Sequence, residues 1–286
     1  MEIRRYLKYS KPFLRKVLVG AVFMILAITS YAIYDGVIKT PIVATSEEYS
    51  SEDYDCAVLG INLHGTLLTY IPPYNEENPL TDNDISASED IVYLIRQAND
   101  DDDIKAIVLE VDSSGGLPVA GEEIAIALKQ SKKPTVGLIR QSGLSAAYWA
   151  VSGTNHIFAS KNSDVGSIGV TISYLENVRK NQNDGNDYVQ LSVGKYKDAG
   201  DPDKPLTAEE RALFLRDLNI VHQNFIADIA ANRDIAVVDV QKIADGSSVL
   251  GEQAKNLGLV DEIGGIFDVE KYLENLIGEK PEICWY

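Results

Sequence analysis

Two places in this sequence join a buried-strand pattern to a helix through residues suited to acyl transfer. The run IVLEVD (107–112) ends in Ser113-Ser114-Gly115-Gly116, and PTVGLIR (134–140) leads through Gly143 to Ser145. The first N–H groups of a helix have no intrahelical acceptor, and both junctions aim such groups at one crevice. A serine hydroxyl there, flanked by N–H donors from a second segment, meets the needs of acyl transfer, because a tetrahedral oxyanion is held by donors from two sides. Glycines at 115 and 116 permit positive φ and close approach. The same residues also read as plain turn and cap chemistry, with Ser145 capping a helix and the glycines closing a turn.

A nucleophilic serine needs a base. His156 stands shortly after Ser145 and opens an apolar strand, while His64 falls in a strand and His222 on a helix, so none has the look of a base. A lysine can serve if burial among apolar neighbours brings its amine from about 10.4 toward about 7 to 8. GKYKDAG (194–200) offers Lys195 and Lys197, two apart and on one face of an extended segment, and the pattern does not separate them.

The elements that must position these groups alternate along the body. CAVLGINLHGTLL (56–68) reads as a strand and ISASEDIVYLIRQAND (85–100) as a helix with an S-x-x-E box at Ser86 and Glu89. IKAIVLEVD is a buried strand, followed by the helix LPVAGEEIAIALKQS; PTVGLIR is a third strand, followed by a helix from near Ser145. HIFAS, SIGVTISYL and YVQLSV are strand-like. Thr207 to Asn232 is a long helix with a T-x-x-E box at Thr207 and Glu210 and a stripe of Leu218, Val221, Phe225 and Ile229 for packing; two shorter helices follow. Strands interleaved with helices predict an α/β class.

Composition narrows the partners. The 286 residues carry 26 Lys and Arg against 43 Asp and Glu. The first 16 hold six basic side chains and one acidic, a net +5, which leaves −22 on the other 270. With no basic cluster past residue 16, a nucleic-acid partner is not expected. Val17 to Tyr34 has no charged side chain, and its 18 residues span about 27 Å as a helix, near the thickness of a bilayer core. The basic flank before it and the acidic one after it predict an uncleaved single-pass anchor with the N-terminus in the cytoplasm and the body outside. The expected organisation is a cytoplasmic basic segment (1–16), a transmembrane helix (17–34), an acidic linker (35–55) and a catalytic body (56–286). Three scattered histidines and two cysteines predict no metal and no cofactor; whether Cys56 and Cys284 pair is left open.

Five motifs occur in order: VDSSGG (111–116), SGLSAAYWAVS (142–152), VGSIGV (165–170), GKYKDAG (194–200) followed by PLTAEER, and GEQAKNLGLVDEIGG (251–265). In these the chain resembles the signal peptide peptidase A family, peptidase family S49, membrane-anchored serine peptidases of the ClpP/crotonase-like fold. The resemblance covers roughly residues 56 to 277, and the anchor matches too. It implies Ser145 as nucleophile, Lys197 as general base, and Ser167 as a hydroxyl that helps to orient the lysine. It also implies an oxyanion region at Gly115, Gly116 and the N–H of Ala146. The family often has Pro where Ser114 stands and Gly-Gly where this chain has Ala146-Ala147; neither change removes a backbone donor. The resemblance further implies remnant signal peptides as substrates, a site on the outer face of the bacterial cytoplasmic membrane, and a homo-oligomer, in some members an octamer that shares Ser and Lys between subunits. The competing readings are a catalytically silent membrane scaffold of the same fold and a crotonase-type acyl-CoA enzyme. The acidic body lacks the basic CoA-phosphate site that the latter needs.

Overall fold

The computed structural model describes residues 56–72 and 85–286. The expected basic segment, transmembrane helix and linker lie outside the described residues. Among the described residues no helix is long and apolar enough to cross a membrane.

The body is an α/β sheet with helices on both faces, as the alternating pattern predicts. In chain order the strands are β1 (Val58–Leu68), β2 (Ile85–Ala87), β3 (Ala106–Gly116), β4 (Thr135–Leu144), β5 (His156–Ala159), β6 (Asp164–Gly166), β7 (Ser248–Leu250), β8 (Glu262–Ile263) and β9 (Ile283–Trp285). The helices are α1 (Ser88–Asp100), α2 (Pro118–Lys129), α3 (Ala146–Ser152), α4 (Val178–Asn183), α5 (Ala208–Arg233), α6 (Val237–Ile243), α7 (Gly251–Asn256) and α8 (Ile266–Ile277). The main strand order is β2-β1-β3-β4-β5-β8, with β6 beside β4 and β7, and β9 beside β1. Every pairing is parallel except β6 with β7.

Central position explains the apolar run Ala106–Leu109 at the start of β3, which is covered on both faces. Ile107, Leu109 and Val111 join Leu59, Ile61 and Leu63 of β1 in the core under α1, α2 and α3. Ala106 and Val108 turn the other way, with Val136, Leu138 and Phe158, onto Val269 and Leu273 of α8. Alternate residues of one strand therefore serve two separate cores.

Local signals succeed unevenly. Helix α5 starts where expected, with the Thr207 hydroxyl accepting from the Glu210 N–H and the Glu210 carboxylate accepting from the Thr207 N–H, and it ends at Asp234 in the left-handed region. Its stripe packs as expected at Phe225 and Ile229, which are buried. Phe225 stacks on Trp149 of α3 at 4.5 Å, and the Trp149 indole N–H donates to Asp228 at 3.0 Å. The box expected at Ser86 and Glu89 does not form. Helix α1 begins at Ser88 after an Ala87 cap, and Ser86 lies in β2, where its hydroxyl donates to the His64 carbonyl and accepts the His64 N–H. A parallel strand partner supplied that hydroxyl with better bonds than a helix end. The strand-like runs 167–175 and 188–193 are not strands either. Ile168 is buried in the core, but most of the other apolar side chains of these runs find no covering layer within one chain: Leu175, Leu191 and Val193 are 86%, 93% and 99% exposed.

Cys56 and Cys284 form a disulfide with Cα atoms 5.9 Å apart. It fastens β9 to the start of β1, where Val58 pairs with Ile283 and Gly60 with Trp285. Closing so long a loop restricts the unfolded chain strongly, so reduction or a paired Cys56→Ser, Cys284→Ser change should destabilise the body by about 2–5 kcal/mol. Urea midpoints with and without reductant measure this, and equal midpoints would rule out a stabilising role.

Candidate active site

The two junctions singled out by their chemistry meet at the carboxyl ends of the central strands. Strand β3 does not stop at Asp112 but continues through the glycines, with a register shift against β1 between His64 and Thr66. Gly115 has φ +107, and a Cβ there would stand 2.7 Å from the Ser145 Cβ and 3.1 Å from the Ala146 nitrogen. A Cβ on Gly116 would fall 1.9 Å from the Leu67 carbonyl oxygen. Only glycine lets the end of β3 come this close to both β1 and the start of α3.

Ser145 sits in that contact as the residue before α3, with φ 52 and ψ −126. Positive φ in a non-glycine residue costs on the order of 1–3 kcal/mol and persists where surrounding structure enforces it. Here enforcement comes from the Ser145 N–H, which donates to the Gly166 carbonyl at 2.8 Å, and from helix α3, whose residues Ala146 to Ser152 are all buried. The Ser145 side chain makes no capping bond, so the plain cap reading fails and the hydroxyl is free to face the cavity beside it.

That cavity has a volume of about 600 Å³ and is lined by Ser145, Ser167 and Gly116 at one end. Ser167 is itself at φ 51. Its hydroxyl donates to the Gly246 carbonyl at 3.0 Å, and its N–H donates to the Ser247 carbonyl at 3.1 Å. With its proton committed, the Ser167 oxygen offers lone pairs to a donor in the cavity. The Gly115 N–H donates to the Ser113 hydroxyl at 3.0 Å, which in turn donates to the Gly65 carbonyl at 2.6 Å. Ala146 is the first residue of α3, and its N–H has no acceptor within the helix.

The two lysines that the pattern could not separate are distinct in the structure. The Lys195 ammonium lies 2.6 Å from the Glu209 carboxylate and 4.9 Å from the Tyr196 ring centroid. The Glu209 carboxylate, with the Tyr196 hydroxyl, holds the Lys195 amine above the ordinary lysine range. Lys195 is thus kept protonated and unfit as a base. Lys197 is exposed, in a turn where its N–H donates to the Gly194 carbonyl, and it is not among the residues lining the cavity. The structure therefore brings Ser145, Ser167, Gly115, Gly116 and Ala146 together and leaves Lys197 on the surface of the single chain.

Helix α5 forms the opposite wall through Leu215, Leu218, Asn219 and His222. These four share a face at spacings of three and four, a signal visible in the sequence. Their service to this cavity was not legible, since only the tertiary fold brings the helix to Ser145. The His222 Nε2 atom is buried without a hydrogen-bond partner. Among the described residues no group of three or more His, Cys, Asp or Glu could hold a metal ion.

The chain is similar to several known proteins. A protein of Methanocaldococcus jannaschii named "Putative protease" is 35% identical over 198 residues, covering 68% of this chain and 64% of its own. One of Enterococcus faecium named "Putative signal peptide peptidase SppA" is 29% identical, covering 67% of this chain and 53% of its own. The chain thus spans less than two thirds of the length of these relatives. A solved structure of a ClpP1 mutant from Listeria monocytogenes aligns with 72% of this chain and 91% of its own, at 14% identity and a TM-score of 0.45. The family model for peptidase family S49 matches residues 127–279, a span that takes in Ser145, Ser167 and Lys197, and the chain belongs to that family.

Proposed function

We propose that the chain is a membrane-anchored serine endopeptidase of ClpP/crotonase-like architecture that cleaves peptides through a Ser145–Lys197 pair. The observation that carries this reading is Ser145 held at positive φ before α3, uncapped and facing a cavity shared with Ser167. The Ser145 oxygen attacks the scissile carbonyl carbon, and its proton passes to the neutral Lys197 amine. The carbonyl oxygen becomes an oxyanion, for which the N–H groups of Gly116 and Ala146 are the fitting donors. Collapse expels the amine product with the proton from Lys197 and leaves an acyl-enzyme. Water then repeats the sequence, giving up its proton to Lys197 and releasing the carboxylate product and Ser145.

Lys197 is exposed in the single chain, so the desolvation that a lysine base needs has to come from another surface. A second subunit supplies it in our reading, with an octamer as the expected assembly. The exposed Val189, Leu191 and Val193, alternating with Gln190 and Ser192 in a strand pattern without a partner, support a contact between copies. The uncharged run 17–34 with its basic flank supports an anchor, and the disulfide supports placement of the body on the oxidising side of the membrane. Remnant signal peptides fit as substrates at that place.

Treatment of the full-length protein in detergent with a serine-reactive phosphonate should add one label, and peptide mapping should find it on Ser145. A label elsewhere, or none under conditions where peptide is cleaved, counts against the mechanism.

A further inference from the structure

The cavity beside Ser145 contains one carboxylate that the peptidase mechanism does not use. Asp245 follows α6 and lines the wall next to Ser167, and among the described residues no Lys or Arg lines that cavity. The Asp245 side chain is fixed by its own turn: Oδ1 accepts the Ser247 N–H at 2.9 Å and the Ser247 hydroxyl at 2.6 Å. The turn is fixed to the cavity wall in its turn. The Gly246 N–H donates to the Ile168 carbonyl at 3.2 Å, and the Gly246 carbonyl accepts the Ser167 hydroxyl. The Ser247 hydroxyl, and then its N–H, hold the Asp245 carboxyl below its usual range, so it is ionised wherever a lysine base can work. Asp245 is exposed, and its second oxygen is left as an acceptor.

A fixed carboxylate on the wall of a cleft that also holds Leu215, Leu218 and Val170 stands where a bound peptide would cover it and displace water from around it. It can accept from a donor, and no Lys or Arg of the cavity wall provides one. The catalytic lysine is a poor candidate, because a carboxylate beside it would hold its amine protonated and oppose its action as a base. A donor brought by the substrate has no such conflict. We infer that Asp245 is a specificity-determining residue that selects a lysine or arginine side chain of the peptide near the scissile bond. The inference rests on the serine peptidase reading and adds the charge of the substrate to it.

The test uses the full-length protein in detergent and quenched fluorescent peptides that differ at one position only, lysine against norleucine, walked across the residues on either side of the cleaved bond. At one position the wild type should favour lysine by about three- to fivefold in kcat/KM, the scale of an ion pair to an exposed carboxylate, and the preference should shrink as salt rises. Asp245→Asn keeps an oxygen for both Ser247 bonds and removes the charge, so the ratio should fall to about one. Asp245→Lys should reverse it, favouring a glutamate peptide. A wild-type ratio near one at every position overturns the inference, as does an undiminished ratio in Asp245→Asn. A ratio that stays put while the pH profile of Asp245→Asn moves assigns the carboxylate to the base instead and also overturns it. If the wild type cleaves neither peptide and the phosphonate leaves Ser145 unlabelled, the peptidase reading itself has failed and this inference goes with it.

Discussion

Ser145→Ala is expected to abolish peptide hydrolysis while the protein still folds and assembles. The substitution removes one oxygen from a site built mostly of backbone, and it leaves the Ser145–Gly166 main-chain bond and helix α3 in place. The hydroxyl makes no capping bond, so its loss costs the helix little. Turnover of a quenched peptide, measured beside the thermal melting curve, checks both halves. Residual hydrolysis near the wild-type rate, with the enzyme shown free of contaminating protease, would sink the mechanism.

The second large effect concerns the base. Lys197→Ala should lower the rate at neutral pH by about 10²- to 10⁴-fold, the range of a lost general base, whereas Lys195→Ala should only impair it. The Lys195–Glu209 pair is exposed on both sides, so its removal loosens a surface contact rather than a reacting group. Because Lys197 does not line the Ser145 cavity of its own chain, inactive Ser145→Ala and inactive Lys197→Ala subunits should restore activity when mixed. Some interfaces would then receive a serine from one copy and a lysine from another. Co-purification through two different tags must first show that mixed oligomers form. Absence of rescue in such mixtures counts against a shared site, and a reversed order of the two lysine variants counts against Lys197 as the base.

The parts of this molecule legible in the sequence were those whose cause is local. The apolar run that opens β3 announced a buried strand, and Thr207 with Glu210 announced the start of α5. Ser145 and the Gly115-Gly116 pair stood out as two strand-to-helix junctions with free N–H groups, a local pattern that also read as turn and cap chemistry and gained its meaning from the five motifs in order. Where a tertiary partner decides, the signal misled. Ser86 looked like a helix cap until β1 claimed its hydroxyl, and SIGVTISYL looked like a strand although no neighbouring strand pairs with its length. His222 and Asp245 carried no local mark of function. They reach the cavity because α5 and the loop after α6 fold back on Ser145 from far along the chain.

The pairing of β9 with β1 has a consequence for how the protein is made. Val58 to Gly60 lie on the strand that is synthesised first among the described ones, and their edge is filled by Ile283 to Trp285, which are synthesised last among them. Contacts of such high sequence separation form late and slow the search for the native state. Until the end of the domain leaves the ribosome, β1 presents an unpaired edge beside a free Cys56 thiol, the two features that invite a wrong strand or a wrong thiol. Truncation shortly before Ile283 would make that transient state permanent. The integrity of β9 is therefore a condition for closing the edge of β1.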